Sequence, residues 1–441
     1  ARDYGKKDLV YSGPLYKSMK IEGKKIRVSF AYVGGGLASR DGKELNEFKI
    51  AGADGKFVPA KAVIDGKSVV VSADNVAAPK NVRFGWHKAA NPNLINKAKL
   101  PASPFQTDNW QGGTGDPLPK IAYTGDGSDL QAVIDAAPVG ATVTCDAKRS
   151  LEISKAITIH RALTLRGLHA RLPKKLGRTP ILVVAAEGVT LSDLELHGNY
   201  DSVLQKDRAP LIHVRKGRFT IERCVFYDAS KDGVMVTPEK EDGDIVGVVV
   251  RDIKAYRMGR DAVSIAGGNR GDGTCIRNVL VEDVRLERGY FRGAVEVSDG
   301  TDNVVVRRVY AADAKYAVEQ HDHGQKVPNT NVLIEDVTAV NCYAAMLSGD
   351  NRRGHKNLTL RRITATNCKV PVQIKHIANV LIEDLTITSQ TKADSPRICL
   401  TDCQGVRLRN VKIKGLASGV EPVAAKGCSD VAAEKLTLAD E

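Results

Sequence analysis

Val248-Val249-Val250-Arg251-Asp252-Ile253 reads apolar, any, apolar, two polar, apolar, and Val279-Leu280-Val281-Glu282-Asp283-Val284 repeats it. Eight further copies complete a series of ten. They are Val189-x-Leu191-x-x-Leu194, Phe219-x-Ile221-x-x-Cys224, Val304-x-Val306-x-x-Val309, Val332-x-Ile334-x-x-Val337, Leu358-x-Leu360-x-x-Ile363, Val380-x-Ile382-x-x-Leu385, Val406-x-Leu408-x-x-Val411 and Val431-x-Ala433-x-x-Leu436. Measured on the last residue of each, the steps are 30, 29, 31, 25, 28, 26, 22, 26 and 25, a near-fixed period of short strands with no helix-length segment between them. A rung of this length cannot bury its own apolar side. Successive rungs must stack on one shared core, which predicts a solenoid of the parallel β-helix kind.

A solenoid lengthens without a second core, so 441 residues need only two folded units. Aromatic content is 5% while Val, Ile, Leu and Ala dominate, as a thin stacked core requires. No run of 18 apolar residues exists, so no membrane span is expected. The chain starts at Ala1 without an apolar leader, the pattern of a processed product or of part of a longer protein. Residues 1–113 hold 19 Lys and Arg against 10 Asp and Glu, so most of the net charge of +13 belongs to that segment. A polyanion groove along the repeats is therefore not expected, and no Arg/Lys stripe interleaved with aromatics points to nucleic acid. The eight cysteines form no C-x-x-C pair, and Cys399 and Cys403 lack zinc spacing, so no metal site is expected. Cys342 and Cys368 should stack on neighbouring rungs within reach of a disulfide, though a column of small residues favours buried thiols.

Residues 1–110 have a different texture. Strands of alternating polarity at Lys25–Phe30, Phe48–Ala51, Ser68–Ser72 and Asn81–Trp86, separated by turns such as Asp54-Gly55 and Asp65-Gly66, predict an antiparallel β-sandwich. Val10-Tyr11-Ser12-Gly13-Pro14-Leu15-Tyr16, Phe48-Lys49-Ile50-Ala51-Gly52-Ala53-Asp54, Val82-Arg83-Phe84-Gly85-Trp86 and Leu100-Pro101-Ala102-Ser103-Pro104-Phe105 resemble the C-terminal β domain of the bacterial sialate O-acetylesterase family. That family places a nucleophilic serine and an Asp/His pair ahead of this domain, and neither block is in this sequence. The resemblance implies no catalytic residue here, and a preceding esterase domain in a longer protein.

A glycine-rich linker at 111–119 separates this unit from residues 120–441. Leu130, Val133, Ile134 and Ala137 lie on one helical face and predict a helix that caps the solenoid. This helix, followed by Val139-Gly140-Ala141-Thr142-Val143 and Leu163-Thr164-Leu165-Arg166-Gly167, resembles the pectin-lyase-like superfamily of right-handed parallel β-helices. The fold class expected is all-β: a right-handed single-stranded parallel β-helix with a capping helix, preceded by the sandwich. Asp228, Asp313, Asn341 and Asn367, each four residues after an anchor, are assigned to turns that need left-handed backbone.

Each rung carries a further strand after that turn. Alternation predicts one outward column of Met235, Ser264, Glu296, Glu319, Met346, Gln373 and Cys399, and beside it Thr237, Ala266, Ser298, His321, Ser348, Lys375 and Thr401. Glu296 and Glu319 thus fall on adjacent rungs, roughly 4.8 Å apart, where like charges push one carboxyl toward an acid beside a base. Glycoside hydrolysis uses such a pair, and close spacing favours retention. Asp261 is the alternate carboxylate. Asp232, Ser264, Tyr290, Arg292, Asp299, His321, Asp322, His323 and Lys375 are the candidate substrate ligands, with Tyr256, Phe291 and Tyr316 as further aromatics.

Gly259-Arg260-Asp261-Ala262-Val263-Ser264 is similar to the Asn-Thr-Asp-Gly-Ile-Asp block of polygalacturonases, but Ser264 replaces the second aspartate and the other blocks are missing. Polygalacturonase activity itself is not expected. The reading is a glycoside hydrolase acting on a complex polysaccharide, secreted or periplasmic, with no cofactor. One alternative is a lyase on a uronate polymer, with Lys375, His376, Arg292 and Arg352-Arg353 as positive charge and Ca²⁺ on Asp232, Asp261 and Glu296. The other is a non-catalytic glycan-binding or accessory segment.

Overall fold

The computed structural model describes Val10 and residues 12–86, 90–108, 119–146, 148–202, 207–268, 273–324, 327–348 and 354–439. Contacts divide the chain between residues 118 and 119, and the segment read as a linker lies outside the described residues apart from Pro119.

The N-terminal unit is antiparallel. One sheet orders Leu15–Glu22, Lys25–Ala31, Ser68–Ser72 and Lys61–Asp65, and a second orders Phe105–Gln106, Asn81–Phe84, Phe48–Ala51 and Val58–Pro59. Strict alternation in Lys25–Ala31 sends Ile26, Val28 and Phe30 inward, against Phe48, Ile50, Val69, Val71, Val82, Phe84 and Phe105. Phe48 and Phe84 lie 4.5 Å apart between ring centres, and Tyr16 stacks on Phe105 at 5.0 Å. Two buried asparagines fasten the loops. The Asn96 amide donates to the carbonyls of Ser12 and Tyr32 and its oxygen accepts from the Leu100 N–H. Asn96→Ala strands those groups and is expected to cost about 2 kcal/mol, read as a lower denaturation midpoint of this unit with the solenoid unaffected.

The second unit is a parallel β-solenoid. One sheet has 16 strands and follows the sequence repeat, a second has 11, and every pairing within them is parallel and runs to the next rung. The repeat is the register: Leu191, Ile221, Val250, Val281, Val306, Ile334, Leu360, Ile382, Leu408 and Ala433 pair in series. All of these but the exposed Ala433 belong to one continuous core, into which the helix Leu130–Ala136 inserts Leu130 and Ile134. Gln131 seals the helix to the first rungs, its side chain bonding both the N–H and the carbonyl of Thr158.

Left-handed backbone recurs at three positions per rung in the middle of the solenoid, one of them the asparagine before the first anchor, as at Asn278, Asn303, Asn331 and Asn357. Asp228, Asp313, Asn341 and Asn367 have φ of 51–52°, as their side chains predict. A second bend, which the alternation conceals, falls inside the repeat on the residue before the last anchor: Asp193, Arg223, Asp252, Asp283, Arg308, Asp336 and Arg362 all have φ of 53–57°. Arginine has no local reason to accept that conformation. Arg223, Arg308 and Arg362 each reach back to the aspartate one rung earlier, Asp193, Asp283 and Asp336, with Nε to carboxylate distances of 2.6–2.8 Å. This ladder neutralises the outer edge of the repeat, which is why the many arginines there make no anion groove. All eight cysteines are free thiols, most of them buried.

Candidate active site

Four acidic side chains and two arginines meet on the outer side of the 11-stranded sheet. Glu296 pairs with Glu319 across strands Val295–Ser298 and Tyr316–His321, and Ser264 stands opposite Glu296 on the preceding rung. Asp232 and Asp261 sit at the turns entering the earlier rungs, where the Asp261 N–H donates to Asp232 Oδ1 at 3.2 Å. Arg292 binds Glu296 Oε1 at 2.5 Å and lies 3.6 Å from Glu319 and 3.8 Å from Asp261. Arg260 stands 3.5 Å from both Asp232 and Glu296. Ser264 Oγ donates to Glu296 Oε2 at 2.8 Å.

The two glutamates share a side, as the pairing requires, yet they do not face open water. Glu296 is 1% exposed and Asp261 0%. Alternation puts the column outside the core, but the guanidiniums of Arg292 and Arg260, 22% and 27% exposed, lie across it. The charged surface offered to solvent is thus basic, with the acids beneath.

Gly293 makes this geometry possible. A Cβ there would lie 2.0 Å from the Tyr316 carbonyl oxygen and 2.2 Å from its ring. Without it, the fully buried Tyr316 extends past the intervening rung and its hydroxyl donates to Asp261 Oδ1 at 2.7 Å, beside the Gly293 N–H at 3.2 Å.

The environments push the carboxyls apart. Burial raises Asp261 well above the usual carboxylate range, and the neighbouring Glu296 and Asp232 add to it. Burial raises Asp232 as well. Burial also works against an ionised Glu296, but Arg292, Arg260 and the Ser264 hydroxyl outweigh it and hold Glu296 below its ordinary value. The two carboxyls are thus pushed in opposite directions, Asp261 toward its protonated form and Glu296 toward its ionised form.

Asp299, at φ 59°, accepts from the His323 backbone N–H at 2.7 Å and holds its Nδ1 at 2.8 Å. That contact raises the His323 pKa, whereas burial lowers that of His321, whose ring meets His323 edge to face at 4.2 Å. The field of His323 reaches Glu296, and those of Glu319 and Glu296 reach His321, so the imidazoles belong to the same electrostatic site.

Other residues go elsewhere. Asp322 turns away to Nε2 of the buried His355, 3.3 Å distant, and fastens the loop. Lys375 stands beyond the rung of Leu347, paired with Thr401. Met346 points into the core opposite Val318, while Leu347 pairs with Glu319 and Ser348 with Gln320. This reverses the predicted register of that rung: Ala344-Ala345-Met346-Leu347 is apolar throughout and has no alternation to read. Tyr256 stacks on Tyr227 in a separate column and Tyr316 is interior, so neither joins a sugar platform. His376 lies 3.5 Å from Asp402, and Arg352-Arg353 fall outside the described residues. No group of His, Cys, Asp and Glu suited to a metal occurs among the described residues.

Sequence reasoning missed Arg260, although it directly precedes Asp261, and it missed Tyr200 and Arg208. Tyr200 stacks on the exposed Tyr290 at 4.4 Å, and the Arg208 guanidinium lies 5.0 Å from the Tyr200 ring centre and 4.7 Å from that of the exposed Phe291. The only signal in the sequence was an aromatic in an irregular inter-rung segment.

No family model and no curated protein matches the chain. Among solved structures, the A-module of the mannuronan C-5 epimerase AlgE4 of Azotobacter vinelandii superposes with a TM-score of 0.56 at 15% identity, over 75% of this chain and 96% of that one. A family 28 exopolygalacturonase of Yersinia enterocolitica gives a TM-score of 0.41 at 10% identity, over 96% and 99%. The N-terminal segment matches a carbohydrate acetylesterase of Xanthomonas citri at 47% identity and a TM-score of 0.24, over 24% of this chain and 25% of that chain. This chain therefore spans a quarter of that esterase. The solenoid has the parallel β-helix fold that it shares with the AlgE4 A-module, a likeness of architecture.

Proposed function

We propose that the solenoid is a polysaccharide-acting enzyme that hydrolyses glycosidic bonds, with Asp261 as the acid and Glu296 as the ionised base or nucleophile. The observation that carries the reading is the placement of these two buried carboxyls around one guanidinium, Arg292, at 3.8 and 2.5 Å, in surroundings that favour the proton on Asp261 and the charge on Glu296. An acid must hold its proton until the leaving oxygen takes it, and its partner must be charged as the oxocarbenium ion develops. Glu319, the third carboxylate near Arg292, supports the charge of that arginine when substrate approaches. A sugar that reaches Glu296 displaces part of the arginine cover. The reaction needs no cofactor, and a polysaccharide substrate places the enzyme outside the cytoplasm, secreted or periplasmic.

The pH profile follows from the signs. Raising pH through the elevated Asp261 value removes the acid, and lowering it through the depressed Glu296 value protonates the base. Activity is therefore expected as a bell whose basic limb lies well above the ordinary carboxylate range and vanishes in Asp261→Asn. The same shift acts on stability. Folded Asp261 keeps a proton that the unfolded chain releases, so its contribution to stability falls as pH rises between the two values. Asp261→Asn should then melt no lower than wild type at neutral pH while losing turnover. Digestion of a glycan panel decides the issue; an unchanged rate in Asp261→Asn would refute the acid assignment.

A lyase is the second reading, favoured by the two guanidiniums that cover the cluster, since a lyase must neutralise a uronate to acidify its C5 proton. Products absorbing in the ultraviolet would identify it.

A further inference from the structure

We infer that Tyr200, Arg208, Tyr290 and Phe291 form a subsite for a sugar ring carrying an anionic group, a carboxylate or a sulfate, beside the acid cluster. The inference rests on the polysaccharide reading above and names a substrate class for it.

The first observation is the contrast between arginines. Arg260 and Arg292 each lie among carboxylates, at 3.5–3.9 Å for Arg260 and 2.5–3.8 Å for Arg292, so the difference from Arg208 is the ion pairing and not the Nε, which makes no hydrogen bond in Arg260 either. Arg208 has no ion-pair partner among the described residues: its guanidinium lies against Tyr200 and Phe291, and its buried Nε takes no hydrogen bond. The neighbouring Asp207 is engaged with Arg178 at 3.0 Å. A guanidinium held against rings keeps its charge and its planar donor edge available for an oxyanion.

The second observation is placement. Phe291 directly precedes Arg292, so one side of the platform continues into the cluster. On the other side, Ala209 exchanges hydrogen bonds with the Ser230 hydroxyl, two residues before Asp232. The exposed rings of Tyr290 and Phe291 offer flat apolar surface for the C–H face of a pyranose. Stacking alone suits any sugar. The unpaired cation at the rim makes the subsite selective for a charged one, because leaving it unmatched forfeits a charge-assisted hydrogen bond.

The test measures binding by calorimetry on the full chain carrying Glu296→Gln, with tetragalacturonate for a carboxylate, a carrageenan tetrasaccharide for a sulfate and maltotetraose for neither. At least one acidic probe should bind more tightly than maltotetraose, and adding Arg208→Ala should weaken it about tenfold while leaving maltotetraose unchanged. Arg208→Lys should recover part of the loss, and Phe291→Ala should weaken every probe. The acidic probe that binds identifies the group. Acidic probes bound equally by the Arg208→Ala protein, no preference over maltotetraose, or no binding at all would each overturn the inference. Hydrolysis lost in Glu296→Gln but indifferent to Arg208 would end the subsite and keep the acid–base reading, whereas full turnover by Glu296→Gln would end that reading whatever Arg208 does.

Discussion

Glu296→Gln is expected to abolish glycan cleavage, with a fall of about 10³-fold in kcat, and to lower the thermal midpoint as well, since Arg292 and Arg260 lose a buried counter-charge. The substitution keeps the shape and leaves an amide oxygen for Ser264 Oγ, but it removes the negative charge that faces Arg292 and Arg260. Two consequences separate this from a structural defect. The acidic limb of the pH profile, set by protonation of Glu296, should disappear from any residual activity. Asp261, relieved of a neighbouring negative charge, should ionise more readily, moving the basic limb downward. Rate measurements across pH on the folded variant check both. Undiminished cleavage would remove Glu296 from the chemistry.

Gly293→Ala should produce a large loss of stability for the addition of one carbon. The new methyl cannot move away, since what it meets is backbone and a fully buried ring on the next rung. Relief requires the rung of Tyr316 to shift, which breaks the parallel ladder between Val295–Ser298 and Tyr316–His321 and pulls the tyrosine hydroxyl off Asp261. A cost of about 3 kcal/mol follows from overpacking at such a site. Thermal unfolding should show a lower midpoint for the solenoid, and activity should fall with it. Tyr316→Phe separates the two effects: it removes the hydrogen bond without the clash, so it should affect the Asp261 limb of the pH profile more than stability. A Gly293→Ala protein with wild-type stability would mean that the rungs at this point are not as closely stacked as described.

The repeat and its register were legible because burial of alternate strand positions, with one longer step at the bend, is a local, periodic demand on side-chain type. Val248, Val250 and Ile253 state which way they face whatever lies next to them. The pairing of Glu296 with Glu319 follows from the same count, and so does the left-handed turn at Asp228 and Asn341. Where the count has nothing to hold, it fails: Ala344-Ala345-Met346-Leu347 offers apolar side chains in both phases, and only packing against Val318 decided that Met346 goes in.

What the sequence determined by itself is the solenoid, the antiparallel unit before it and the column on which the acidic residues stand, since each depends on spacing along the chain. Tertiary structure alone decided that Arg260 and Arg292 cover those acids, that Asp261 rather than a second glutamate is driven furthest toward its protonated form, and that Tyr200 and Arg208 come to rest against Tyr290 and Phe291. The physical reason is that burial, charge proximity and ring contact between rungs depend on distances in space. Those distances are set by turn lengths and by an absent side chain at Gly293, which periodicity does not encode.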